Sequence, residues 1–154
     1  MEFTGEYRIA APRAAVWRAV LDPEVLRACI PGCKELEATG ERAFAAKVQI
    51  KVGPVSATFA GTVELQDLEP PAACRIVGQG NGGMAGFAKG EARVTLVEEG
   101  DETVLTYVAD AQIGGKLASL GGRLIQATAR KLSDQFFSTF AATVGAPAMA
   151  PPSD

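Results

Sequence analysis

The sequence predicts an α+β fold: a curved antiparallel sheet wrapped around one long C-terminal helix, with two short helices after the first strand. Three observations predict it. Gly-punctuated segments with period-two alternation fill most of the chain from Phe3 to Ile113. Two Pro-marked helix starts, at Pro12 and at Asp22–Pro23, interrupt them early. After Gly115–Lys116–Leu117 a single apolar-faced helix runs to about Val144. Sequential hairpins of this kind suit an antiparallel sheet with its helices on one face.

Phe3, Gly5, Tyr7 and Ile9 alternate with Thr4, Glu6 and Arg8, giving a first strand with one buried face. A helix over about Pro12 to Leu21 places Val16, Trp17, Val20 and Leu21 on one side. Asp22 caps a second helix through roughly Ala28, and Ile30-Pro-Gly-Cys33 turns the chain. A strand near Lys34 to Thr39 follows, then one in which Phe44, Ala46, Val48, Ile50 and Val52 share a face. Gly53–Pro54 reverses the chain into a strand with Val55, Ala57, Phe59, Gly61, Val63 and Leu65 on one side. Small residues within that face leave room beside the aromatic ring, a pattern suited to strong curvature or a cavity. Strands near Cys74 to Gln79, Phe87 to Val97 and Thr103 to Ile113 complete the sheet. Gly80-Asn-Gly-Gly83 and the acidic stretch Glu98 to Glu102 serve as turns. On the last helix Leu117, Leu120, Leu124, Ile125, Thr128, Leu132, Phe136 and Phe140 recur at helical spacing, and Gly145–Ala146–Pro147 is the expected stop. One domain is expected over residues 1–145, with residues 146–154 as a disordered Ala/Pro-rich tail.

With 154 residues the chain can bury roughly two-thirds of its unfolded surface without disulfides or metals. A net charge of −3 gives no electrostatic reason to expect nucleic acid as a partner. The N-terminus lacks a basic region followed by an apolar run, and no apolar stretch reaches membrane-spanning length. Three cysteines, an odd number, fit a reducing compartment, so a cytoplasmic location is expected. Histidine is absent, which removes the commonest general base and the commonest metal ligand. Binding therefore ranks ahead of catalysis.

Several stretches together carry a family resemblance: Phe3-Thr-Gly-Glu-Tyr7, Ala11-Pro-Arg-Ala-Ala-Val-Trp17, Leu21-Asp-Pro23, Ile30-Pro-Gly-Cys33, Lys47-Val-Gln-Ile-Lys-Val-Gly53 and Ile113-Gly-Gly-Lys116. The chain resembles the helix-grip fold of the START/Bet v 1-like (polyketide cyclase/lipid transport) superfamily. Within it, the chain resembles the G-subunit family of carbon monoxide dehydrogenase. The resemblance covers nearly the whole domain, and the Pro–Gly–Cys turn is its most specific piece. It implies a non-enzymatic accessory protein of a molybdenum-containing hydroxylase such as a carbon monoxide dehydrogenase. Such a protein would carry no covalent cofactor, bind a quinone or lipid, and assist membrane recruitment or electron transfer at the inner face of the plasma membrane. Some relatives extend through a Pro-rich linker into a membrane-binding helix. The chain here ends at Pro151-Pro-Ser-Asp154, so attachment through such a helix is not expected.

The pocket expected from this fold is assigned Trp17, Val20, Leu21, Ile30, Phe44, Ile50, Phe59, Phe87, Leu117, Leu120 and Leu124. The alternative for each is an ordinary solid core. Tyr107, Gln112, Gln79 and Asn81 are candidate polar contacts, with Tyr107 placed to hydrogen-bond a carbonyl or quinone oxygen. Cys29 and Cys33 are four apart, but with Cys74 they supply too few thiolates for a zinc or iron–sulfur site. Two further functions stay open: an assembly factor without a functional ligand, and a small-molecule cyclase or hydrolase. For the latter, Glu64 with Asp67, or Asp110 with Glu91, are formal carboxylate pairs, and Asp110 stands out within an apolar strand.

Overall fold

The computed structural model describes residues 1–149, with side chains through Gly145. Strand β1 (Glu2–Ile9) leads into helices α1 (Arg13–Val20) and α2 (Pro23–Cys29). Strands β2 (Cys33–Gly40), β3 (Ala43–Val52), β4 (Val55–Glu69), β5 (Ala73–Asn81), β6 (Phe87–Glu99) and β7 (Glu102–Gly114) follow, and helix α3 (Gly122–Met149) ends the described chain. The seven strands form one sheet in the order β1-β7-β6-β5-β4-β3-β2, antiparallel throughout. This is the expected helix-grip architecture: a curved sheet around a long C-terminal helix, with two short helices after β1.

Local chemistry sets the early elements. Asp22 adopts extended backbone and its Oδ1 accepts the Glu24 N–H at 2.9 Å, capping α2 with Pro23 at the first helical position. In the turn that follows, Gly32 has φ +75°, and a Cβ there would lie 2.1 Å from the Gln49 carbonyl oxygen. Only glycine permits this approach, which lets the Gln49 N–H donate to the Gly32 carbonyl at 2.9 Å. The Pro–Gly–Cys turn thus docks the α2–β2 connection onto β3.

The C-terminal helix differs from expectation at both ends. Gly115–Leu120 forms a 3₁₀ segment, and Gly121, at φ +96°, breaks it from α3. One continuous helix from Lys116 fails because a left-handed residue interrupts the hydrogen-bond ladder. At the other end the helix runs past Gly145, where an added Cβ would meet Ala10 at van der Waals distance, and its bounds reach Met149 rather than Val144. Residues 150–154 of the expected tail lie outside the described residues. Gly80 and Asn81 also extend β5 rather than belonging to a turn, and a 3₁₀ turn at Gly83–Ala85 makes the reversal.

Two apolar clusters occupy the concave side. The larger joins Ile9, Val16, Trp17, Val20, Leu96, Leu105, Tyr107 and Phe140, packing α1 and the second half of α3 against one end of the sheet. Tyr107 lies between Gly5, where a Cβ would meet its ring at 2.4 Å, and Phe137, stacked at 4.8 Å. Thr103 is fully buried and its Oγ1 donates to the Ala11 carbonyl at 2.8 Å, which satisfies both groups. The smaller cluster, Val52, Val55, Phe59, Ala85 and Leu117, closes the opposite end. The space between the two is where the site lies.

Candidate functional site

Register explains why the middle of the concave face is hollow. Ala46 of β3 pairs with Gly61 of β4, Gly61 with Gly80 of β5, Gly80 with Ala88 of β6, and Ala88 with Ile113 of β7. Residues opposite one another in a ladder point to the same face, so four small residues run side by side across four strands. The next row repeats the pattern, with Val63, Gly78, Gly90 and Ala111 in register. Neither row can reach α3 with side chains.

The result is a cavity of about 340 Å³ between the Ala46–Gly61–Gly80–Ala88 row and the helix residues Ile125, Thr128, Ala129 and Leu132. Val48, Ile50, Val52, Phe59, Val63, Ile113, Leu117 and Ile30 complete its apolar wall. Thr128 is its polar side chain; Thr62 and the sequence-assigned Gln79 border it, but strand alternation turns their side chains to the convex face beside Lys89, and no charged side chain faces it. A second hollow of about 430 Å³ adjoins it over the Gly78–Gly90 row and reaches Phe3, Ala111 and Ser133. Both lie within the roughly 300–1,000 Å³ of small-molecule sites.

Of the residues assigned from sequence, Ile30, Ile50, Phe59 and Leu117 line the cavity. Leu120 and Leu124 pack behind it on the smaller cluster. Phe44 is buried beside Val63, one row further along β3. Trp17 and Val20 belong to the larger cluster, and Leu21 packs against it, because α1 and α2 cover the other end of the sheet. Phe87 stands on the convex side: it pairs with Gly114 and Asn81, and strand alternation turns Ala88 inward instead. Tyr107 is locked in the aromatic stack and does not reach the cavity. Gln112 alternates to the convex face beside Lys89, and Asn81 Oδ1 accepts the Gly83 N–H at 2.7 Å, a turn contact.

The carboxylates also lie on the convex face. Asp110 Oδ1 accepts from the Met1 ammonium at 3.2 Å, and Glu91 accepts from Arg75 at 2.9 Å. These exposed pairs are surface electrostatics of modest worth. All three cysteines are free thiols, and burial pushes each of their pKa values up, away from the reactive thiolate. Among the described residues no group of three His, Cys, Asp or Glu is placed to hold a metal ion. The chemistry the cavity offers is burial of apolar surface.

Sequence reading missed Gly78, Gly80, Ala88, Gly90 and Ala111 as the floor of the site. A signal was present: Gly78–Gln79–Gly80 and Ala88–Lys89–Gly90–Glu91–Ala92 alternate small with polar residues at the strand period.

Two clusters that hold a curved antiparallel sheet around a long helix, with an uncharged cavity between them, make this a helix-grip domain. Solved structures agree. The chain is similar to an aromatase/cyclase from Streptomyces sp. R1128 (13% identity, TM-score 0.72, 100% of this chain and 99% of that one). It is also similar to a START superfamily protein from Mycobacterium smegmatis (17% identity, TM-score 0.70, 93% and 96%). A conserved protein from Geobacillus kaustophilus is nearer, at 31% identity and TM-score 0.87 over 94% of this chain and 95% of that one. The family model for the G subunit of carbon monoxide dehydrogenase (CoxG) matches residues 5–145, and the chain belongs to that family. Among curated proteins none matches. Family and fold together support an accessory or small-molecule-binding role.

Proposed function

We propose that this protein is a non-catalytic accessory factor of a molybdenum-containing hydroxylase of the carbon monoxide dehydrogenase type, and that its cavity carries a quinone or lipid. The observation that carries the reading is the row of small residues under α3, which leaves an apolar hollow without a titratable side chain. An isoprenoid or acyl tail gains about 0.8 kcal/mol per buried CH₂ there. Thr128 offers a hydrogen bond to a polar head. Redox chemistry then belongs to the ligand and the partner enzyme. Among the described residues no helix is long and apolar enough to cross a membrane. In this proposal the protein acts at the inner membrane face as a peripheral partner of the enzyme.

Calorimetric titration with a short-chain quinone and with a medium-chain fatty acid tests it. One-to-one binding with a negative heat-capacity change is expected. No heat with either class, in protein shown to be folded, would contradict the carrier reading and leave the assembly-factor role.

A further inference from the structure

The side chains of α3 divide by their angle around the helix. Ile125, Thr128 and Leu132 face the cavity, and Ala129 lines both it and the second hollow. Ser133, further round, lines the second hollow. Helical geometry places Gln126 and Arg130 next in the same direction, with Arg123 beside them. These three line a groove of about 240 Å³ on the outer side of the seam between α3 and β1, together with Ala127, Glu2 and Phe3. Phe3 is 8% exposed and lines this groove and the second hollow alike, so its ring stands between the two.

The groove offers unpartnered positive charge. Among the described residues neither Arg123 nor Arg130 forms an ion pair, whereas Arg8, Arg13, Arg75 and Arg93 all do. Two carboxylates lie near this stripe. Glu2 pairs with Asp110 across the β1–β7 ladder, and alternation turns both side chains to the convex face. Asp134, one turn beyond Arg130, accepts the Tyr7 hydroxyl at 2.7 Å. We propose that the groove holds the anionic head, a carboxylate or phosphate, of an amphiphile whose tail lies in the hollows and passes Phe3 between β1 and α3.

This assignment rests on the carrier reading above and narrows its ligand. Arg123 and Arg130 are two turns apart, roughly 10 Å along the axis, a gap that two long side chains can close on one anion. A guanidinium fork matches two oxygens of a carboxylate or phosphate, and such charge-assisted bonds are about twice as strong as neutral ones. Gln126 stands between the two arginines as a further donor. A neutral quinone gains nothing from this charge. An acidic lipid does, while its chain still fills the apolar space.

Calorimetric titration with decanoic acid and with 1-decanol, at a pH where the acid is ionised, tests the assignment. The two share a chain and differ in head charge. Wild-type protein is expected to bind the acid at least about tenfold more tightly. Arg123→Gln combined with Arg130→Gln should abolish that preference and leave decanol binding unchanged; both arginines are exposed, so the variant folds. Inorganic phosphate at equal concentration should not displace the acid. Equal affinity for acid and alcohol in wild type, or a preference that survives in the double variant, overturns the assignment. Displacement by phosphate also overturns it and makes the groove a site for free anions. Folded protein that binds neither chain would sink the carrier reading, and this assignment with it.

Discussion

Gly61 of β4 and Gly80 of β5 stand directly opposite each other on the concave face, with Ala46 and Ala88 next in the same row. The two glycines are not equivalent. A Cβ on Gly61 would lie 2.1 Å from the Gln79 carbonyl oxygen, whereas one on Gly80 meets nothing closer than Phe59 Cβ at 3.7 Å. Gly61 is required by backbone approach between strands. Gly80 is required only if the space above it is used.

That difference yields a paired prediction. Gly61→Ala forces the β4–β5 ladder apart and should cost about 1–3 kcal/mol in denaturant unfolding. Gly80→Val suits the strand and fills the cavity, so its melting temperature should equal or exceed wild type while quinone or fatty-acid binding weakens at least about tenfold. Calorimetry on both variants checks this, and undiminished binding by Gly80→Val would contradict the placement of the site.

Trp17 separates packing from binding. It is 8% exposed within the larger cluster and away from the cavity. Trp17→Ala should destabilise the fold by about 3–5 kcal/mol, while the fraction still folded binds ligand with wild-type affinity. Equilibrium unfolding combined with titration distinguishes the two effects.

How far the site was legible follows from such cases. Alternation in Val55 to Leu65 predicts the buried face of β4 residue for residue, and Asp22–Pro23 marks the start of α2. Periodicity reports which face a residue occupies but not how far along the sheet it lies. Trp17 and Ile50 therefore look alike in sequence, yet one packs under α1 and the other lines the hollow. Phe87 misleads for a different reason: a strand's parity is fixed by its partners, and pairing with Gly114 turns its ring outward. Gly80 reads as the start of a turn because glycine has low strand propensity, while in the sheet its missing side chain, with that of Gly78, forms the cavity.

Thr103 anchors the corner between β1 and α1. Thr103→Val keeps the shape but leaves the buried Ala11 carbonyl without its donor at 2.8 Å. A loss of about 1–3 kcal/mol is expected in chemical denaturation.

Tyr7 links β1 to α3, its hydroxyl donating to Asp134 Oδ1 at 2.7 Å. Burial first, then the hydrogen bond and charge of Asp134, push its pKa well above the ordinary 10.0. Above that ordinary value the unfolded phenol releases its proton while the folded one keeps it. Stability should therefore fall as pH rises past about 10. Ultraviolet titration of Tyr107→Phe, which leaves Tyr7 as the single phenol, should show no ionisation step near pH 10 before alkaline unfolding. Adding Asp134→Asn should restore an earlier one.

The cavity's role as a carrier site is tested most directly by native mass spectrometry of freshly purified wild-type and Gly80→Val protein, with solvent extraction of whatever is released. A stoichiometric quinone or lipid is expected on the wild-type chain and little or none on Gly80→Val. A wild-type mass that stays bare even after incubation with quinones and lipids, or an equal load on both proteins, would contradict that role.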